Sequence, residues 1–152
     1  MQLSENFSLG EMTISGTGKR LGIKNVPNKV QIECLRLLAV NVLQPIRNHF
    51  GVAILLSNAF RSKELNKAVG GSTTSQHMKG EAADIDVDNT SITNREVFDF
   101  IRKNLQFDQL IYEFGTSKNP DWVHVSWNSN GKQRNEVLIA KKIAGKTSYQ
   151  NY

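Results

Sequence analysis

Between Asn28 and Phe50 the apolar residues Ile32, Leu35, Leu38, Ala39, Val42, Leu43, Ile46 and Phe50 recur at helical spacing, which predicts one long amphipathic helix. Pro45 falls inside it and predicts a kink, because proline lacks an amide donor and crowds the carbonyl four residues back. Gly51 supplies a stop. A second stripe, Val97, Phe100, Ile101 and Leu105, follows the capping-box sequence Thr93-Asn94-Arg95-Glu96 and predicts a helix ending before Phe107. A shorter helix is predicted from Lys63 to Val69, with Ser62 as its cap and Gly70-Gly71 as its end.

Elsewhere the period falls to two. Ala83 to Val87 alternates so that Asp84 and Asp86 share one face of a strand while Ile85 and Val87 share the other. The apolar run Val52 to Ser57 reads as a buried strand. Leu110 to Phe114 and Trp122 to Trp127 read as a hairpin around the loop Gly115 to Asp121, and Val137 to Ala140 as a last strand of the same sheet. Met1 to Val26 lacks a periodic stripe and is expected to be an irregular arm. Gly145 to Tyr152 is polar and expected to be a loose tail. The pattern as a whole predicts a single α+β domain over residues 1–152, a twisted antiparallel sheet flanked by helices.

Composition narrows the class. A chain of 152 residues that is 39% apolar can build one domain with a real core. No run of eighteen apolar residues could span a bilayer, and the first residues lack the charged start and apolar centre of a signal peptide, so a protein made in a cytosol, without membrane insertion, is expected. Cys34 is the only cysteine, which excludes an internal disulfide and a cysteine zinc cluster and leaves Cys34 as a passive helix residue. Nineteen basic against fourteen acidic residues give a net charge of +5, which favours encounter with anionic polymers. The basic residues are scattered without interleaved aromatics, so no nucleic-acid partner is expected, and a monomer is the expected state.

The candidate chemistry lies in Ser75-Gln76-His77-Met78-Lys79-Gly80-Glu81-Ala82-Ala83-Asp84 and in Trp122-Val123-His124-Val125-Ser126. An imidazole and a carboxylate from the first stretch, joined by a second imidazole from a buried strand, make the ligand set of a catalytic zinc that keeps one position open for water. His77 follows the Gly70-Gly71 break and a polar stretch, which puts it on a loop rather than on a helix face. Trp122 shares a strand face with His124 and is a candidate wall of the cleft, while Trp127 falls on the core side. His49, in the last turn of the long helix, is expected only to complement the helix dipole.

Ser75 to Asp84, Phe107 to Glu113 and Trp122 to Trp127 together resemble the zinc D-alanyl-D-alanine carboxypeptidase family, whose fold is shared with hedgehog signalling domains. Gly22 to Pro27, Leu43 to Arg47, Phe60 to Ser62 and Leu65 to Gly71 resemble its phage and prophage branch. The resemblance implies one zinc held by His77, Asp84 and His124, with Gly80 permitting the turn between the first two. It implies that Arg61 holds a carboxylate of the peptide, a role suited to a planar guanidinium. Ser75 either hydrogen-bonds the substrate backbone or shapes the loop.

Two carboxylates compete for the role of general base. Asp121 matches the acidic-x-x-His spacing of many family members, but it can serve only if the strand begins after it, since an offset of three on a strand reverses the face. Glu113 resembles the hedgehog-type glutamate on the neighbouring strand, and the hairpin register decides whether it shares a face with His124. Glu113 is preferred. The implied activity is zinc-dependent hydrolysis of peptidoglycan stem peptides, at D-Ala-D-Ala or at L-Ala-D-Glu, by a phage-type lysin held in the host cytoplasm until release. The alternative is a wall-binding or signalling module that keeps the zinc fold without the chemistry.

Overall fold

The computed structural model describes residues 1–152. Six strands form one sheet in the order β1-β2-β4-β3-β5-β6, with β1 at Leu56–Asn58, β2 at Ala82–Ile85, β3 at Gln109–Glu113, β4 at Trp122–Ser126, β5 at Glu136–Ile143 and β6 at Lys146–Asn151. Every pair is antiparallel except β3 with β5, which is parallel, so the sheet is mixed at one place where the pattern predicts an antiparallel one. The reason is local. Ser126 ends β4 beside the start of β3, and residues 127–135 carry the chain past that same end, so Glu136 enters opposite Gln109 and runs in the direction of β3.

Alternation along the strands gives the sheet two different faces. Ile85, Val123, Val125, Leu110 and Tyr112 point to one side and join a core with Leu35, Leu38, Val42, Ile46, Val97, Phe98 and Ile101 from the helices. The opposite side carries Asp84, His124 and Glu113. The helices are α3 at Lys29–Leu38, α4 at Gln44–Phe50 and α6 at Asn94–Asn104, together with three short ones: α1 at Leu9–Thr13, α2 at Gly16–Leu21 and α5 at Lys63–Ala68. Thr93 caps α6 in the expected box with Glu96, and Ser62 caps α5 through the Leu65 amide. No helix is long and apolar enough to cross a membrane.

Ahead of Pro45, where a kink is expected, the helix changes type. Between α3 and α4 the residues Ala39–Leu43 form a π-helical turn, in which the Gln44 amide donates to the Ala39 carbonyl five residues back. Widening the helix just ahead of Pro45 accommodates the missing donor and relieves the crowding of its ring.

Three expectations need correction. The N-terminal arm is not irregular: Ser8 and Glu11 form a capping box that starts α1, and Leu3, Phe7 and Met12 are buried in the core. Helices of five and six residues are too short to show a stripe. The tail is not loose either, because Lys146–Asn151 pairs with β5 through a tight turn at Ala144 and Gly145, both left-handed with φ of 48° and 75°. The strand expected from Val52 is confined to Leu56–Asn58; Ile54 is buried, yet only Leu56 and Asn58 have partners in β2.

His77 lies on a 3-10 turn, Gln76–Lys79, closed by Gly80 at φ 77°. A Cβ on Gly80 would lie 2.6 Å from the Gln31 carbonyl oxygen of α3, so the turn is seated against that helix as closely as backbone allows. Gln31 also donates to the Met78 carbonyl at 2.9 Å. Gly80→Ala combines left-handed strain with this collision and is expected to cost about 2–4 kcal/mol of stability. Denaturant unfolding measures it, and an unchanged midpoint would mean that the turn is not pinned to α3.

Candidate active site

The site starts from a strand pairing. In the β2–β4 ladder Asp84 sits opposite His124, and the His124 Nδ1 lies 3.0 Å from Asp84 Oδ1. His77 approaches from the 3-10 turn, with its Nε2 3.3 Å from Asp84 Oδ2 and its Nδ1 2.6 Å from the Ala59 carbonyl oxygen. A carbonyl only accepts, so Nδ1 carries a hydrogen; when the ring is neutral, Nε2 presents a lone pair to the Asp84 carboxylate. Two acceptors then face each other, an arrangement that a cation between them resolves. One donor atom from each of His77, Asp84 and His124 lies within 4.8 Å of the others. Two imidazole nitrogens and one carboxylate oxygen suit zinc.

Asp84 is poised as an anion. Its burial works to raise the pKa, but His77 and His124 on either side, in their protonated, hydrogen-bonding form, outweigh it and hold the carboxyl well below the usual carboxylate range. Asn58, absent from the candidates that sequence alone suggests, stands opposite Asp84 on β1 and donates to Asp84 Oδ2 at 3.2 Å. It orients the carboxylate from behind, as the Ala59 carbonyl orients His77. An isolated Asn after an apolar run carries no sequence signal of that role; only the β1–β2 register reveals it.

A cleft of about 980 Å³ opens over the trio and is lined by Arg61, Ser75, Glu113 and Trp122 among others. The β3–β4 register pairs Glu113 with Trp122 and Ile111 with His124, so Glu113 and Trp122 share the face of His124. Burial pushes the Glu113 carboxyl up to about 7; the Asp84 charge adds to the rise and His124 opposes it. Asp121 is exposed and does not line the cleft, although β4 does begin after it. Its backbone is used instead: the Asp121 amide donates to the Glu113 carbonyl at 2.9 Å, and its carbonyl accepts from Asn94 at 3.0 Å. Trp127 packs against the core, as its strand phase implied.

Arg61 is held by its own backbone, whose amide donates to the His77 carbonyl at 3.1 Å. Asn25 fixes the same stretch, accepting from the Ser62 amide at 2.7 Å and donating to the Phe60 carbonyl at 2.9 Å. The guanidinium Nε is buried with no hydrogen-bond partner. Burial lowers the Arg61 pKa and the Asp84 charge works the other way, so the cation faces the cleft incompletely compensated. Asp108 acts through its neighbours. It accepts from Gln76 at 2.9 Å and from Arg134 at 2.7 and 2.9 Å, tying the turn that carries His77 to the start of β3. His49 takes no part; its ring stacks on Phe100 on the far side of the molecule.

A family model for Peptidase M15 matches residues 5–126, a span that holds every residue of the site described above except Arg134 and ends with β4. No curated protein matches the chain.

The donor set leads to a direct expectation. The purified protein should carry about one zinc, and Asp84→Ala and His124→Ala should each lose it, since removing one of three protein ligands from an open site sacrifices much of the affinity. Elemental analysis of the three proteins checks this; full occupancy in both variants would mean that the ligands lie elsewhere.

Proposed function

We propose that this chain, which belongs to the M15 peptidase family and is therefore a metallopeptidase, hydrolyses peptide bonds in the stem peptides of peptidoglycan. M15 peptidases are zinc-dependent, and His77, Asp84 and His124 are the residues that would hold the metal. The observation that supports the reading is the placement of Glu113 in the same cleft as that trio, on the same sheet face, with a carboxyl pKa pushed up to about 7. Zinc bound there would polarise the scissile carbonyl and acidify water.

The protein's own groups supply the rest. Glu113 takes a proton from the attacking water on a carboxylate oxygen and returns it to the nitrogen of the leaving amine, so the C–N bond breaks as a neutral amine departs. A carboxyl that titrates near the working pH can do both. The uncommitted Arg61 guanidinium donates to a carboxylate of the peptide and sets its register, while Trp122 walls the cleft beside Glu113. Ser75 belongs to the same lining and contributes a hydroxyl to substrate contact or loop shape. Similarity in Gly22 to Pro27 and Phe60 to Ser62 to phage members extends the proposal to a wall-degrading lysin that is stored in the host cytoplasm and acts after release.

Two measurements test this. Mass spectrometry of purified muropeptides after incubation should show a new amine and a new carboxylate at one bond, D-Ala-D-Ala or L-Ala-D-Glu; intact muropeptides at full zinc loading would exclude the stem as substrate. Glu113→Gln should keep zinc and lower kcat by about 10²–10⁴-fold, the range of general acid–base assistance, whereas Asp121→Asn should stay close to the parent protein. The reverse order would assign the proton transfer to Asp121.

A further inference from the structure

The β5–β6 hairpin lies beyond the family match, yet Leu138, Lys142, Thr147 and Tyr149 all line the cleft. Register explains how. Ala140 of β5 pairs with Glu113 on one side and with Tyr149 on the other, and Lys142 pairs with Thr147 one step further out. Ala140 is a methyl between two long side chains and is fully buried, so Tyr149 can lean over it toward Glu113. Raised by its partial burial and by the Glu113 and Asp84 charges, the Tyr149 phenol stays neutral and remains a hydrogen-bond donor.

Lys142 differs from Arg134, another cation of the cleft lining, which is paired with Asp108 and Glu136. Its ammonium donates to Thr147 Oγ1 at 3.2 Å, lies 5.4 Å from the centre of the Phe114 ring, and is in none of the ion pairs of the protein. Phe114 is on that face for an unusual reason. It follows Glu113 directly and should point the opposite way, but its backbone is left-handed at φ 54°, which turns the ring into the cleft alongside Glu113. A bulky residue is strained in that region, and the surrounding fold sustains the strain beside the site. The result is an ammonium on an aromatic floor, bonded to the Thr147 hydroxyl.

We propose that Lys142 and Tyr149 form a substrate subsite of the peptidase cleft that binds a free carboxylate of the stem peptide other than the one held by Arg61. The proposal rests on the peptidase reading and adds to it the substrate's charge. One strand step of two residues, about 7 Å, separates the Lys142 pair from the Glu113 pair, so the carboxylate read by Lys142 lies to one side of the reacting carbonyl. The γ-linked D-glutamate of a stem peptide carries such a group, and amidation removes it.

The probes are two synthetic stem pentapeptides, L-Ala-γ-D-Glu-L-Lys-D-Ala-D-Ala with the glutamate α-carboxylate free or amidated. Zinc-loaded protein should cleave the free acid with kcat/KM about 5- to 10-fold higher, the worth of a partly exposed charge-assisted contact. Lys142→Met and Tyr149→Phe should shrink that ratio with zinc content and thermal midpoint unchanged. Calorimetric binding of both peptides to Glu113→Gln protein reads the same preference without turnover. Equal binding of the two peptides, or a preference that survives in Lys142→Met, overturns the subsite. Preferential binding of the free acid with neither peptide cleaved by the parent protein would instead retain the subsite and overturn the peptidoglycan-peptidase reading.

Discussion

The pairing of Asp84 with His124 across β2 and β4 is the constraint from which the site follows. Side chains alternate along a strand, so shifting β4 by one residue would turn His124 into the core and present Val123 or Val125 to the carboxylate. The buried valines prevent that slip: both are fully inaccessible and pack with Ile85, Leu110 and Tyr112 on the opposite face. Core packing on one side of the sheet thereby fixes the geometry of the candidate metal site on the other. The same register carries outward through β3, where it brings Glu113 to the His124 face, and through β5 to β6, where it brings Tyr149.

His77 is the one member of the trio that no ladder fixes, and its placement draws on separate supports. Gly80 lets the turn meet the α3 backbone, Gln76 reaches Asp108, and the Ala59 carbonyl orients the ring. The Arg61 amide donates to the His77 carbonyl, so the proposed carboxylate anchor and a candidate metal donor are positioned by one contact. Under the proposed function, coupling of this kind would keep the distance between bound carboxylate and reacting carbonyl constant, which is where much of the benefit of orientation arises. Asn25, Asn58 and Asp108, polar residues outside the His77–Asp84–His124 trio, hold these supports in place.

Electrostatics separates the carboxylates. Asp84, between two imidazoles, is held ionised; Glu113, buried and near another carboxylate, is pushed up to about 7; Asp121, exposed before β4, lends its backbone to the hairpin. Residue type is the same or nearly so in all three, and environment alone distinguishes candidate ligand, candidate base and turn residue.

Periodicity and short-range chemistry are enough to reveal the amphipathic helices, their caps at Thr93 and Ser62, the Leu110–Trp127 hairpin and the three donors His77, Asp84 and His124, because each of these is written in residues close together or in a repeated spacing. The turn that needs Gly80 is implied by the family resemblance. Register is a long-range property and carries no such signal: Glu113 and Asp121 are both admissible until the β3–β4 pairing puts one in the cleft and leaves the other outside. Asn58 acquires its role only by standing opposite Asp84. The two ends of the chain depart from expectation for a related reason, since α1 and α2 are too short for a stripe and β6 is a polar edge strand whose stability comes from its ladder with β5 rather than from apolar residues of its own. What tertiary structure decided, therefore, was which distant residues face each other, because backbone pairing and core packing are settled between segments that share no local signal.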